Sequence, residues 1–175
     1  EVEKMLLLFH ELGQFVYFPD PDLRDVVILD PQWIIDVVSN VIRIYDTPWN
    51  RKLYGEGADA VIKSHQLTVD EDARSKLPHE WKDLVWNKST GTAGILGEAL
   101  AEALWQSVIA PGKSRRRSSL VRGDIQTLSS PAVTIKMLHY LMKKFDLTVQ
   151  LKTAGADTKY LVPSLLPPHD ELGLA

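Results

Sequence analysis

HELGQFVYFPDPDLRDVVILDPQWIIDVV, residues 10–38, holds the run of local signals on which the fold turns. Upstream of it, Val2, Met5, Leu6 and Phe9 recur at i, i+3, i+4 and i+7, which predicts an amphipathic helix ending near Leu12, with Gly13 as its C-cap. Residues 15–18 are aromatic or β-branched, residues 19–22 alternate proline and aspartate, and residues 26–29 are again apolar. That pattern predicts an antiparallel hairpin with its loop at 19–24. Asp30 before Pro31 is a helix start: the carboxylate can accept backbone N–H bonds, and proline suits the first helical position, where no N–H is needed. Trp33, Ile34, Val37, Val38 and Val41 then form one wide stripe that should face a core. The helix should fade near Tyr45, because Thr47-Pro48 cannot easily continue it.

Working outward, residues 49–92 give weaker signals. Gly55-Glu56-Gly57 reads as a loop, residues 58–63 as a helix, Thr68 with Glu71 as a capping box, and Trp81, Leu84, Val85 and Trp86 as a short helical or extended apolar element. The glycines at 91, 94 and 97 precede Leu96, Leu100, Leu104 and Trp105, which predict a helix at about 97–108. Ser130-Pro131 repeats the N-cap logic before Ile135, Leu138, Leu141, Met142 and Phe145, so a second helix should run to about Lys144. Alternation at Leu147, Val149 and Leu151, a turn with Gly155, and the run 160–165 predict a closing hairpin. The expected fold class is α+β, mostly helical with short antiparallel hairpins and a winged-helix-like C-terminal part. Its expected division is helix, hairpin, helix and insert over 1–90, the winged-helix-like part over 91–168, and a linker over 169–175 after Pro167-Pro168.

Composition narrows the function. The 175 residues are 45% apolar and 25% charged, enough for a self-sufficient core. The longest apolar run, residues 5–9, falls far short of the roughly 20 residues a membrane helix needs. Without cysteine there is no disulfide, thiolate metal site or cysteine nucleophile, which favours a cytoplasmic setting. Glu1, with no basic or signal-like segment, reads as the start of a piece of a longer protein. No glycine-rich loop ends in Lys-Ser or Lys-Thr, so the three spaced glycines read as turn and helix entry rather than a phosphate cradle. The histidines at 10, 65, 79, 139 and 169 include no i, i+4 pair suited to one metal, and no nucleophile elbow is present. The expectation is a non-catalytic module with no catalytic, cofactor-binding or metal residues.

Lys113, Arg115, Arg116, Arg117 and Arg122 form a basic run beside Ser118 and Ser119. Three readings stay open: a solvated loop, a site for an arginine-directed kinase at Ser118 or Ser119, and a surface for phosphoinositide or nucleic-acid phosphate. A winged-helix nucleic-acid binder is the competing function class, with Lys136, His139, Lys143 and Lys144 on the polar side of the second helix. The net charge of −3 weighs against it. A peptide-binding adaptor is a third.

Residues 10–38 resemble the opening of a COR domain of Roco proteins, in which a helix, a Leu-Gly, an aromatic-rich strand and a strand ending in Asp-Pro-x-Trp are typical; Asp30, Pro31 and Trp33 carry that last motif. GILGEALAEALW at 94–105, the stretch 138–151 and KYLVPSLLP at 159–167 are similar to later parts of the N-terminal COR half. The resemblance implies a regulatory module that packs against the Roc GTPase domain and the C-terminal COR half. It places GTP and magnesium only in Roc, and assigns dimerisation mostly to the C-terminal half, so this chain should be monomeric. Each apolar stripe is about one core-facing helix face wide, which leaves no large second apolar surface. The insert at 47–92 and the loop at 115–117 depart from the family pattern.

Overall fold

The computed structural model describes residues 1–21, 23–109, 131–152 and 158–168. Helix α1 (Val2–Glu11) stops where Gly13 takes φ +70° and donates its N–H to the His10 carbonyl at 2.9 Å. Two short strands follow, β1 (Val16–Tyr17) and β2 (Val27–Ile28), antiparallel with Val16 opposite Ile28. Tyr17, Ile28 and Leu23 of the intervening loop are buried, so the hairpin is pinned to the core at both its strands and its loop.

Helix α2 (Pro31–Ser39) begins as the sequence dictates: Asp30 is extended, and its Oδ1 accepts the Gln32 N–H at 3.0 Å. It ends sooner than expected. Asn40 turns inward and donates its side-chain amide to the Leu104 carbonyl at 3.3 Å, while Val41 and Tyr45 are buried beyond the helix end. Thr47-Pro48 is then a start rather than a stop, since Thr47 Oγ1 accepts the Asn50 N–H at 3.2 Å and Pro48 opens α3 (Pro48–Tyr54). After one 3₁₀ turn at Gly55–Gly57 come α4 (Ala58–His65), α5 (Thr68–Lys76) and α6 (Pro78–Val85). The α5 start differs from the expected Thr68–Glu71 box by one residue, because Asp70 Oδ2 reaches back to the Leu67 N–H at 3.2 Å.

The glycine-spaced segment holds a strand that the sequence reading did not include, β3 (Ile95–Gly97), ahead of α7 (Glu98–Ile109). Helix α8 (Pro131–Lys144), β4 (Val149–Leu151) and β5 (Lys159–Leu161) complete the described chain. β5 is the centre of an antiparallel sheet ordered β3-β5-β4. Helix α7 is the hub: Leu100, Ala101, Leu104 and Trp105 are inaccessible, and Trp105 Nε1 donates to the Val37 carbonyl at 3.2 Å. Leu138, Leu141 and Met142 of α8, Val37 of α2, Leu84 of α6 and Val162 after β5 join the same cluster. One core therefore spans both sequence halves, each large side chain contributing about 1.5–3 kcal/mol. Helices with two small antiparallel sheets make the class α+β, as expected.

Candidate interaction surface

Helix α1 has two apolar faces rather than one. Leu6, Leu7 and His10 are half-buried, and the helix packs on β1, with the His10 and Phe18 rings 6.1 Å apart. At 100° per residue, Val2, Met5, Leu8, Phe9 and Leu12 fall within another arc of about 120°. Four of these five are more than half exposed and Phe9 is 39% exposed; α1 has no buried residue at all. Of the stripe that the sequence predicts to face a core, Val2, Met5 and Phe9 point outward and only Leu6 is half-buried, so a small apolar patch is left on α1.

The hairpin loop connects α1's neighbourhood to α8. Lys144 Nζ donates to Asp20 Oδ2 at 2.6 Å across 124 residues, and the Tyr140 hydroxyl lies 3.4 Å from Asp20 Oδ1. The Lys144 hydrogen bond holds the Asp20 carboxyl below its ordinary range. Lys144 also lies 5.0 Å from the Phe18 ring centre, and Phe18 meets Phe145 edge-on at 6.0 Å.

Of the residues singled out in the sequence, Asp30 and Pro31 do what was expected, whereas Trp33 is half-buried at the edge of the core rather than within it. Lys113, Arg115, Arg116, Arg117, Arg122, Ser118 and Ser119 lie outside the described residues. The basic face drawn on α8 is corrected: Lys144 is paired with Asp20, and His139 is 8% exposed, stacked on Tyr160 at 4.3 Å and edge-on to Trp105 at 5.0 Å. Neither ring nitrogen of His139 has a hydrogen-bond partner, and burial lowers its pKa, with Glu98 opposing. Among the described residues no group of His, Asp and Glu could hold a metal, and no helix is long and apolar enough to cross a membrane. The sequence reading missed the buried pair of Arg43 and Asp70, bonded at 2.5 and 2.9 Å. Their separation of 27 residues leaves no periodic signal to find.

Residues 1–67 match the family model described as "C-terminal of Roc, COR-A domain". The chain is 46% identical over 43 residues to the probable serine/threonine-protein kinase pats1 of Dictyostelium discoideum. It is 40% identical over 42 residues to the probable serine/threonine-protein kinase qkgA and 38% over 42 to roco11, both of the same organism. Each alignment covers 24% of this chain but only 1 to 3% of the relative. No solved structure matches. The resemblances at 94–105, 138–151 and 159–167 lie beyond the matched range. The Asp-Pro-x-Trp motif, caps and hairpin of residues 10–38 lie inside it, so the first 67 residues of this chain are similar to a COR-A domain, and part of that stretch to three Roco-type kinases.

Proposed function

We propose that the chain is a non-catalytic, cytoplasmic module that packs against the Roc GTPase domain of its parent protein and couples Roc's nucleotide state to the rest of that protein, including the C-terminal COR half and its dimer. The observation that carries this reading is the outward stripe of α1. A helix already resting on β1, with Leu6 and Leu7 half-buried, has no structural need for Val2, Met5, Leu8, Phe9 and Leu12 largely in water. The family model, named for its place C-terminal of Roc, matches the region that α1 opens, so Roc is the partner nearest in sequence. GTP and magnesium belong to Roc, since this sequence has no phosphate loop. Coupling has a material route: α1 rests on β1, Phe18 follows β1, and Phe18 and Asp20 touch α8.

The test is calorimetric binding of this chain to the Roc domain of the same parent, loaded with GDP or a GTP analogue. Met5→Glu with Leu8→Glu should weaken binding by at least about tenfold, as for anchors central to an interface, and leave the melting temperature in place. Unchanged affinity in both nucleotide states refutes the reading.

A further inference from the structure

Among the described residues of α8, Met137, Leu138, Leu141 and Met142 are buried and apolar, and His139 is buried with them. An apolar side chain would fill that place without a polar atom to satisfy. The imidazole instead brings two ring nitrogens into the interior, and neither has a hydrogen-bond partner among the described residues. The ring is gripped from two sides. Tyr160 of β5 stacks on it at 4.3 Å with the planes 17° apart, and Trp105 of α7 meets it edge-on at 5.0 Å. His139 therefore stands where α7, α8 and the three-stranded sheet meet, and it suits that place as a neutral ring.

A proton on this ring finds little to balance it. From α7 the charged group that bears on it is Glu98, which bears on Tyr160 as well. From β5 it meets the Tyr160 phenol, while Lys159 alternates to the other face of the strand, and the residues beside Tyr160 in the sheet are the uncharged Leu96 and Gln150. On α8 itself Lys136 and Lys143, about one turn away on either side, are exposed and carry the same sign as the proton. The two grips also differ in firmness. Trp105 is inaccessible and fastened to the Val37 carbonyl, whereas Lys159, Tyr160 and Leu161 are half-buried and Val149 and Gln150 of β4 are exposed. The strand side, with less buried surface, is the one that opens more readily. We propose that His139 is a proton-operated joint: neutral, it holds β4 and β5 on α8; protonated, it turns toward Glu98 and water and releases those strands while α2 and α7 stay packed.

Hydrogen exchange of this chain, corrected for the intrinsic rate at each pH, reads the joint. The amides of Val149–Leu151 and Lys159–Leu161 should exchange faster than those of Leu100 and Leu104 at every pH, which marks an opening smaller than global unfolding. A histidine that is neutral when closed and regains its ordinary pKa of 6.5 when open raises the open population by up to about tenfold between about pH 7.5 and 5.5. The strand amides should therefore lose about three- to tenfold of their protection over that range. His139→Phe, which keeps the aromatic stack and cannot take a proton, should remove this dependence. Glu98→Gln should deepen it, because Glu98 favours the proton in the closed state. Should His139→Phe not fold, the imidazole titration of the unaltered chain by NMR decides, and a folded pKa at or above 6.5 overturns the proposal. So does an equal pH dependence in His139→Phe, a smaller one in Glu98→Gln, none in the unaltered chain, or strand amides protected as well as Leu104, since release would then be global unfolding.

Discussion

Arg43→Met should be the most damaging single substitution on the polar side of this domain. The guanidinium makes four hydrogen bonds: Nε to the Asn40 carbonyl at 3.1 Å, Nη1 to the His65 carbonyl at 2.8 Å and to Asp70 Oδ2 at 2.9 Å, and Nη2 to Asp70 Oδ1 at 2.5 Å. Its side chain is 4% exposed and that of Asp70 is 10%. Burial is the largest single influence and works against the Arg43 charge, but Asp70 and Tyr45 together outweigh it and the pKa is raised overall. Without the cation, Asp70 would sit buried with only the Leu67 N–H at 3.2 Å to receive its charge. Breaking such a pair from one side costs about 3–5 kcal/mol, a large part of the roughly 5–15 kcal/mol that holds a domain folded. The His65 carbonyl, left without the Arg43 Nη1 donor, pushes the value toward the upper end of that range. Arg43→Met with Asp70→Leu removes both charges and should recover most of the loss, less about 1 kcal/mol for the lost bond at the α5 start. Urea unfolding at neutral pH reads this as a shifted midpoint at constant slope. A loss below about 1 kcal/mol for Arg43→Met would refute the reasoning, because only a solvent-screened pair is that cheap to break.

Gly94 has φ +70°, and an added Cβ would lie 2.8 Å from the Val162 carbonyl oxygen, which belongs to backbone that cannot swing aside. Gly94→Ala should therefore cost more than about 1–2 kcal/mol, seen as a lowered melting temperature, whereas an open turn would tolerate it. Trp33→Ala should cost about 2 kcal/mol rather than the 3–5 of a fully enclosed ring, because the side chain is only half-buried; the urea midpoint decides. For His139 the sign follows from burial: the folded pKa lies below the ordinary 6.5, so the unfolded chain takes up the proton first as pH falls. Its contribution is complete above about pH 6.5 and is lost below that toward the folded pKa. His139→Phe should flatten the decline in unfolding free energy as pH falls below about 6.5, and an unchanged slope would show that another group is responsible.

The opening of the fold was legible because its signals are local and stereochemical. Gly13 at positive φ, the proline-aspartate turn and the Asp30-Pro31 cap each act within a few residues, so a linear reading finds them. Thr47-Pro48 was ambiguous for a physical reason: proline restricts the residue before it, which suits a helix end, and fits the first helical position, which suits a start. Only the Thr47 to Asn50 hydrogen bond distinguishes the two. β3 was illegible because three residues carry no period, and its partner β5 lies more than sixty residues later. His139 shares a helical face with Lys136 and Lys143, which made that face look polar. Its environment is instead supplied by Trp105 and Tyr160 from other elements.

Hydrophobic periodicity states that a face must be covered and is silent on what covers it. Helix α2 and helix α1 show the same apolar spacing, yet Val37 of α2 is 1% exposed beneath Trp105, and Met5 of α1 is 52% exposed. The difference lies in partners that sequence spacing cannot rank: α7 of the same chain covers Val37, whereas the α1 stripe is met only at Phe9, by the Phe15 ring at 6.0 Å, and stays largely exposed. The same argument bears on Phe18 and Asp20. Read locally they flank a turn, but through Phe145 and Lys144 they fasten the element under α1 to the end of α8. A partner that covers α1 and shifts it must therefore either carry α8 along or break the Asp20–Lys144 contact. Lys144→Met separates these outcomes: in a coupled domain it brings the affinities for GDP-loaded and GTP-analogue-loaded Roc together, whereas a purely adhesive α1 surface would leave both affinities unchanged.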